Sequence, residues 1–194
     1  MTRVHGAIIA AGEGTRLRAG GFAMPKPLVP VAGVPLIETT LRNFEAAGVT
    51  SLVVIVNEDG RRCVEWVRER FPRLDVDFIV KTTASSLESF HEVNRRMPAG
   101  PALVATVDAW CAPSAFADFA RRARTRGDDA TVLAVTSLVD DDTPLWVDAA
   151  ADGRVRTIGG APAPLVTAGV YRFSGAARSL AAPPSLRRLR EFLA

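Results

Sequence analysis

The 194-residue sequence predicts an α/β fold: a three-layer, mostly parallel sheet with helices on both faces and a small β-hairpin inserted late in the chain. Three observations predict it. Short apolar runs that read as buried strands alternate with segments of helical spacing long enough to cross back over a sheet. A glycine-rich turn follows the first apolar run at once, and in parallel α/β sheets ligands collect at the carboxyl ends of strands. After Asp140 the alternation gives way to two short strand-like runs on either side of Asp152-Gly153, the pattern of a hairpin.

The elements follow in order. Residues 4–10 are an apolar run that predicts a buried strand, followed by the glycine turn and a proline-punctuated stretch from Pro25 to Pro35. Residues 37–47 have helical spacing, with Ile37, Leu41 and Phe44 on one face and Gly48 as the stop. A strand over 51–56, a helix over 60–71 ended by Pro72, and a strand over 76–80 come next. Residues 85–97 predict a helix that turns Leu87, Phe90, Val93 and Met97 inward. A fourth strand over 102–107, a helix over 113–126 and a fifth strand over 131–136 complete the alternating part. The hairpin occupies 145–149 and 154–158, a further strand 167–173, and a short amphipathic helix 186–193. No internal repeat and no interdomain linker interrupts the chain, so residues 1–194 are expected to form a single domain.

Composition narrows the function classes. The chain is 48% hydrophobic and 23% charged with a net charge of +3, and its basic residues scatter through the helices instead of forming a stripe. No nucleic-acid partner is expected from that distribution. No apolar run approaches the roughly 20 residues needed to span a bilayer, so no membrane partner is expected either. The first residues do not read as a signal peptide, and Cys63 and Cys111 lack metal-ligand spacing, which together suggest reduced thiols and a cytoplasmic location. Among the 24 basic residues only Lys26 and Lys81 are lysine, so those two positions favour a compact ammonium on a flexible stem.

Three strand-end segments carry candidate chemistry. The first is Ala10-Ala11-Gly12-Glu13-Gly14-Thr15-Arg16-Leu17. Its glycines let the backbone approach a phosphate and present N–H groups to the anion. Leu17 occupies the place of the third glycine of a dinucleotide fingerprint, and no Gly-Lys-Ser/Thr follows to make a P-loop. The segment continues into Met24-Pro25-Lys26-Pro27-Leu28-Val29-Pro30-Val31 and Gly33-Val34-Pro35-Leu36-Ile37. Over residues 8–37 this resembles the opening signature of the sugar-phosphate nucleotidylyltransferases, which are related to the molybdenum-cofactor guanylyltransferases. Gly14-Thr15-Arg16-Leu17 and Pro25-Lys26-Pro27 are closer to the sugar branch than to the Gly-Gly-x-Ser-x-Arg-Met-Gly and Asp-Lys of the guanylyltransferases.

The resemblance implies a Rossmann-like, GT-A-like nucleotidyltransferase fold and transfer of a nucleoside monophosphate from a triphosphate to a sugar 1-phosphate or similar phosphorylated acceptor. It implies that Ala10 to Thr15 cradle the nucleotide, that Arg16 holds the β- and γ-phosphates, and that Lys26 neutralises the α-phosphate and the acceptor phosphate. The second segment, Lys81-Thr82-Thr83-Ala84-Ser85-Ser86-Leu87, matches the place where the family contacts the nucleotide base, which makes Lys81, Thr83, Ser85 and Ser86 nucleotide-binding candidates. Ser85 has a second reading as a plain helix cap. The third segment ends in Val107-Asp108, where the family has an aspartate that binds Mg²⁺ or Mn²⁺; Val107 replaces its usual glycine. A carboxylate at a strand end beside a phosphate loop suits a hard cation.

Rival readings are an acceptor that is a phosphorylated alcohol, the substrate of cytidylyltransferases of this fold, and an inactive nucleotide-binding regulatory homologue. A glycosyltransferase would want Asp-x-Asp, and Asp108-Ala109-Trp110 does not supply it. His5 and His91 read as structural, Asp140-Asp141-Asp142 as a solvated turn, and Trp110 and Trp146 as packing residues or walls of an acceptor pocket. The family adds a second acidic metal ligand beyond the last strand, whereas here Glu191 is the only acid after Phe173. Either residues beyond Ala194 are missing or Asp108 and ligand phosphates hold the metal alone; the expectation favours the first. The sequence does not choose between monomer and homo-oligomer, nor among triphosphates.

Overall fold

The computed structural model describes residues 5–139, 143–182 and 185–193. Strand β1 (His5–Ala10) leads through the glycine turn into a short helix, α1 (Thr15–Ala19), then a single 3-10 turn (Lys26–Leu28). Two-residue strands β2 (Pro30–Val31) and β3 (Val34–Pro35) pair with each other and deliver the chain to helix α2 (Leu36–Ala46). The units β4 (Ser51–Val56), α3 (Arg61–Arg70), β5 (Asp75–Val80), α4 (Ser86–Arg96), β6 (Ala102–Thr106) and α5 (Pro113–Thr125) follow. The later part holds β7 (Val132–Thr136), β8 (Trp146–Ala149), β9 (Val155–Ile158), β10 (Leu165–Phe173), α6 (Gly175–Arg178) and α7 (Leu189–Leu193).

The main sheet runs β5-β4-β1-β6-β10-β8-β9, with β7 also paired to β10. Its first half is parallel: β1 pairs with β4 and β6, and β4 with β5. The chain leaves β1 toward β4 and β5, then crosses back to β6 on the other side. That reversal opens a crevice at the carboxyl ends of β1 and β6, where α/β sheets bind ligands. The expected hairpin is present as β8–β9. Strand 131–136 keeps the direction of the parallel strands as β7, but β10 runs antiparallel between β6 and β7 and separates the two.

Side-chain alternation along the strands builds two cores. On one face Ile8, Leu41, Phe44, Val54 and Phe116 pack under α2, α3 and α5, with the Phe44 and Phe116 rings 4.9 Å apart. On the other, Ala7, Ile9, Ile55, Phe90, Val93 and Phe173 pack under α4 and α7. The apolar spacing read from the sequence is thus the cause of the three layers: Ile37, Leu41 and Phe44 are fully buried, as is Val93. Burying each such side chain contributes about 1.5–3 kcal/mol relative to leaving it exposed.

Helix α4 is fastened at both ends by the C-terminal part of the chain. The buried Arg178 guanidinium donates to Asn94 Oδ1 at 2.7 Å, to the Pro98 carbonyl at 2.9 Å and to the Gly100 carbonyl, closing the end of the helix. At its start, Leu189 N–H donates to Ser86 Oγ at 3.0 Å and Leu87 N–H donates to the Arg187 carbonyl. The terminal helix is shorter than the 186–193 that its apolar pattern predicts. Glu191 accepts from the N–H groups of Arg187 and Arg188 at 2.8 and 2.9 Å, which sets the helix start after them. The start of the first predicted strand, Val4, and Asp140-Asp141-Asp142 lie outside the described residues. No helix among the described residues is long and apolar enough to cross a membrane.

Candidate active site

A cleft of about 1810 Å³ opens over the crevice at the ends of β1 and β6. Its floor begins where β1 stops. Gly14 takes a left-handed backbone (φ +63°) that an L side chain rarely adopts, so the chain can turn sharply from strand into α1. A Cβ on Gly14 would come within 3.1 Å of Lys26 Cβ, so the missing side chain also makes room for the lysine stem.

Pro25 and Pro27 fix the 3-10 turn that carries Lys26: Pro25 sits in extended geometry before it, and Pro27 is buried within it. From there Lys26 Nζ reaches Asp108 Oδ2 at 2.5 Å. Asp108 follows β6, whose pairing with β1 extends through Val107 N–H donating to the Ile9 carbonyl. Thr40 on α2 holds the same peptide through its hydroxyl, which donates to the Val107 carbonyl at 3.2 Å. Burial in the cleft wall pushes the Asp108 carboxyl up, but the Lys26 charge and the hydrogen bonds from Lys26 and Thr106 outweigh it. The group is held below the usual carboxylate range.

Opposite Asp108, β10 bulges between Thr167 and Tyr171. Gly169 lies in that bulge with φ +74°, and a Cβ there would meet Thr106 Oγ1 at 2.7 Å and Ala109 Cβ at 3.1 Å. The bulge therefore brings backbone against the threonine that hydrogen-bonds Asp108.

The structure brings together most of the residues that the sequence nominates. Ala11, Gly12, Glu13, Gly14, Thr15, Lys26, Thr83, Ser85, Ser86 and Asp108 all line the cleft. Ala10 is buried at the end of β1, with its neighbours facing the opening. Arg16 is exposed on α1, outside the cleft lining. Lys81 also stands outside the lining, with its ammonium 2.9 Å from Glu88 and 2.8 Å from Glu92. The sequence holds a signal for that arrangement: Glu88 and Glu92 are four apart, which puts both carboxylates on one face of α4.

Of the two roles open to Ser85, the cap is formed: its hydroxyl accepts from Glu88 N–H at 3.1 Å, and Glu88 reciprocates by accepting from Ala84 N–H at 2.8 Å. Thr83 and Ser89 share a hydrogen bond at 2.7 Å, and Ser86 accepts from Leu189 N–H. Sequence reasoning missed Thr106, Gly169, Arg122, Arg187 and Arg188, all of which line the cleft. Trp110 lines it too, with 61% of its surface exposed, while Trp146 lies on β8 outside it. His91 stacks near Phe90 and Phe192, as a structural histidine does. Neither thiol is set up as a nucleophile: burial pushes Cys63 up to about 12 and also raises Cys111.

A divalent cation fits this donor set in one form. Among the described residues no three His, Cys, Asp or Glu side chains gather around a point. Asp108 offers one hard carboxylate facing the cleft, and Mg²⁺ is commonly held by one or two carboxylates with phosphates and waters completing its octahedron.

Residues 6–192 match the MobA-like NTP transferase domain. The chain belongs to this family. A mannose-1-phosphate guanyltransferase from Eremothecium gossypii is 31% identical over 137 residues, 68% of this chain and 37% of that protein. A 2-aminoethylphosphonate cytidylyltransferase from Lancefieldella rimae is 32% identical over 89 residues, 44% of this chain and 36% of that protein. The chain thus spans little more than a third of the length of either relative. The fold is shared with the inositol-1-phosphate CTP transferase from T. maritima at a TM-score of 0.80 and 20% identity, covering 100% of this chain and 80% of that one. The MobA-like fold accounts for the three layers and for the crevice between β1 and β6.

Proposed function

We propose that this chain is a nucleotidyltransferase that moves a nucleoside monophosphate from a nucleoside triphosphate onto a phosphorylated small molecule, a sugar 1-phosphate in the first instance. The observation that carries the proposal is one cleft joining the glycine turn, Lys26 and Asp108 at the strand ends. An acceptor phosphate oxygen attacks the α-phosphorus, the bond from that phosphorus to the bridging oxygen breaks, and pyrophosphate leaves. A phosphate monoester is already largely dianionic at neutral pH, so no general base is needed. The protein's work is positioning and charge neutralisation.

In this reading the backbone of residues 11–15 cradles the triphosphate. Lys26 moves from Asp108 to the α-phosphate and the incoming acceptor phosphate. Arg16, exposed on α1 beside the turn, reaches the β- and γ-phosphates when they arrive. Asp108 would hold Mg²⁺ or Mn²⁺, which supplies a Lewis acid that withdraws charge from phosphate oxygens. The residues at 83–86 border the base, and the reading places the enzyme in the cytoplasm, where triphosphates are available.

A second acceptor class has an observation in its favour. The cleft wall beyond Asp108 carries an apolar set, Trp110, Phe119, Leu133, Val135, Leu138 and Val166, beside the polar Asp118, Arg122, Thr136 and Thr167. The apolar set suits a phosphorylated alcohol or alkylphosphonate with a small apolar body. A panel of four triphosphates crossed with sugar 1-phosphates, alcohol phosphates and aminoalkylphosphonates, read by pyrophosphate release with Mg²⁺, tests both. Release with one acceptor class identifies it. No release from any pair, alongside retained nucleotide binding, would establish the inactive regulatory reading instead.

A further inference from the structure

Among the described residues, Lys26, Arg122, Arg187 and Arg188 are the cations that line the cleft. Two of them have acidic partners, since Lys26 meets Asp108 and Arg122 lies 3.7 Å from Asp118. Among the described residues, neither the Arg187 nor the Arg188 guanidinium has a carboxylate partner, and both side chains are exposed. The backbone beneath them is tied down. Glu191 accepts from both N–H groups, the Arg187 carbonyl accepts from Leu87, and Leu189 is 3% exposed in the core against α4. Two cations without a carboxylate partner among the described residues are therefore presented to the cleft from a fixed stretch of chain, next to the first turn of α4.

We infer that Arg187 and Arg188 are phosphate-binding residues, a guanidinium pair on the C-terminal strap that takes up phosphate groups of the bound substrate. A triphosphate brings several negative charges into a cleft where Lys26 and Arg122 already face carboxylates, so its neutralisation draws first on the two arginines that face none among the described residues. A planar guanidinium binds phosphate oxygens in pairs and cannot lose its proton, which suits a site that must hold a polyanion. Because the strap also hydrogen-bonds Ser86, phosphate held there sits against the segment 83–86 and links the C-terminal part of the chain to ligand binding. The identity of the anion rests on the nucleotidyl-transfer reading; the phosphate chemistry of the two arginines does not.

Titration calorimetry separates the sources of phosphate. The probes are CTP and GTP with Mg²⁺, inorganic pyrophosphate, glucose 1-phosphate, 2-aminoethylphosphonate, and cytidine as a phosphate-free control. The double variant R187A/R188A is expected to weaken the affected phosphate probes by roughly 10- to 100-fold and to flatten their salt dependence. Cytidine binding and the melting temperature should stay near wild type, and R187K/R188K should recover part of the loss. Loss on triphosphates and pyrophosphate assigns the pair to the nucleotide, and loss on glucose 1-phosphate or the phosphonate assigns it to the acceptor. Affinities within twofold of wild type for every phosphate probe overturn the inference. If the alanine variant melts early, R187Q/R188Q, which keeps the side-chain length, replaces it with the same criteria. Phosphate binding that depends on the two arginines in a protein that releases no pyrophosphate would sink the transfer reading and leave this one standing. Turnover in wild type with unchanged binding in the variant would do the reverse.

Discussion

At the scale of single residues, the proposed chemistry centres on the Lys26–Asp108 pair. Lys26→Ala is expected to lower turnover by at least roughly 100-fold, as loss of one preorganised charge does. The half-exposed ion pair contributes little to stability, so the melting temperature should barely move. A normal rate in that variant removes Lys26 from the mechanism. The same substitution strips Asp108 of the charge that holds its carboxyl low, so its titration should move upward, toward or beyond the ordinary carboxylate range, by NMR. The sign for stability follows: a carboxyl with a depressed folded-state value stabilises at neutral pH, and that contribution fades only in acid, as pH falls through the folded-state value. Gly169→Ala tests the other wall. With φ +74° and Thr106 Oγ1 2.7 Å from the new methyl, it should destabilise by roughly 1–3 kcal/mol in urea and lower activity by displacing the partner of Asp108. Unchanged stability would mean that the bulge yields freely. Lys26 and Asp108 were legible in the sequence because each is framed by local constraints, prolines for one and a strand end for the other. Arg187 and Arg188 were not, because nothing near them in sequence says that the C-terminal strap returns to the cleft.

At the scale of elements, α4 shows what pattern reading can and cannot supply. Its inward face of Leu87, Phe90, Val93 and Met97 follows from spacing alone, and its cap at Ser85 from residue type. Its fastening does not, since Arg178 and Leu189 come from far along the chain. Arg178→Met should leave the Pro98 and Gly100 carbonyls without their donor and destabilise the protein by about 3 kcal/mol, read by urea denaturation. Ser85→Ala should cost about 1 kcal/mol through the lost cap. If Arg178→Met costs no more than Ser85→Ala, the clasp at the far end of α4 is dispensable. The fifth strand illustrates a different limit: its apolar run predicts a strand, and it keeps the direction of the parallel strands, but its neighbour is the late strand β10 instead of β6.

At the scale of the molecule, the sheet divides into a parallel half built from β5, β4, β1 and β6 and an antiparallel half organised around β10. Strands β1 and β4 are buried almost throughout, whereas β9 is mostly exposed at the sheet edge. Amide hydrogen exchange should therefore be slowest in β1, β4 and β6 and fastest in β8–β9, with bound triphosphate adding protection at residues 11–15 and 83–86. Equal protection across both halves would show that the sheet opens only as a whole.

The clasp on α4 also bears on how the protein is made. A ribosome delivers the parallel strands and α4 well before Arg178 and Leu189 exist. The roughly 80 residues between Arg96 and Arg178 take roughly 4–16 s at 5–20 residues per second. During that interval the nascent chain has its glycine turn and its central strands, but α4 lacks the two ties that Arg178 and Leu189 supply. The clasp on α4 therefore closes only once residues 178–189 have emerged, long after the helix that it holds.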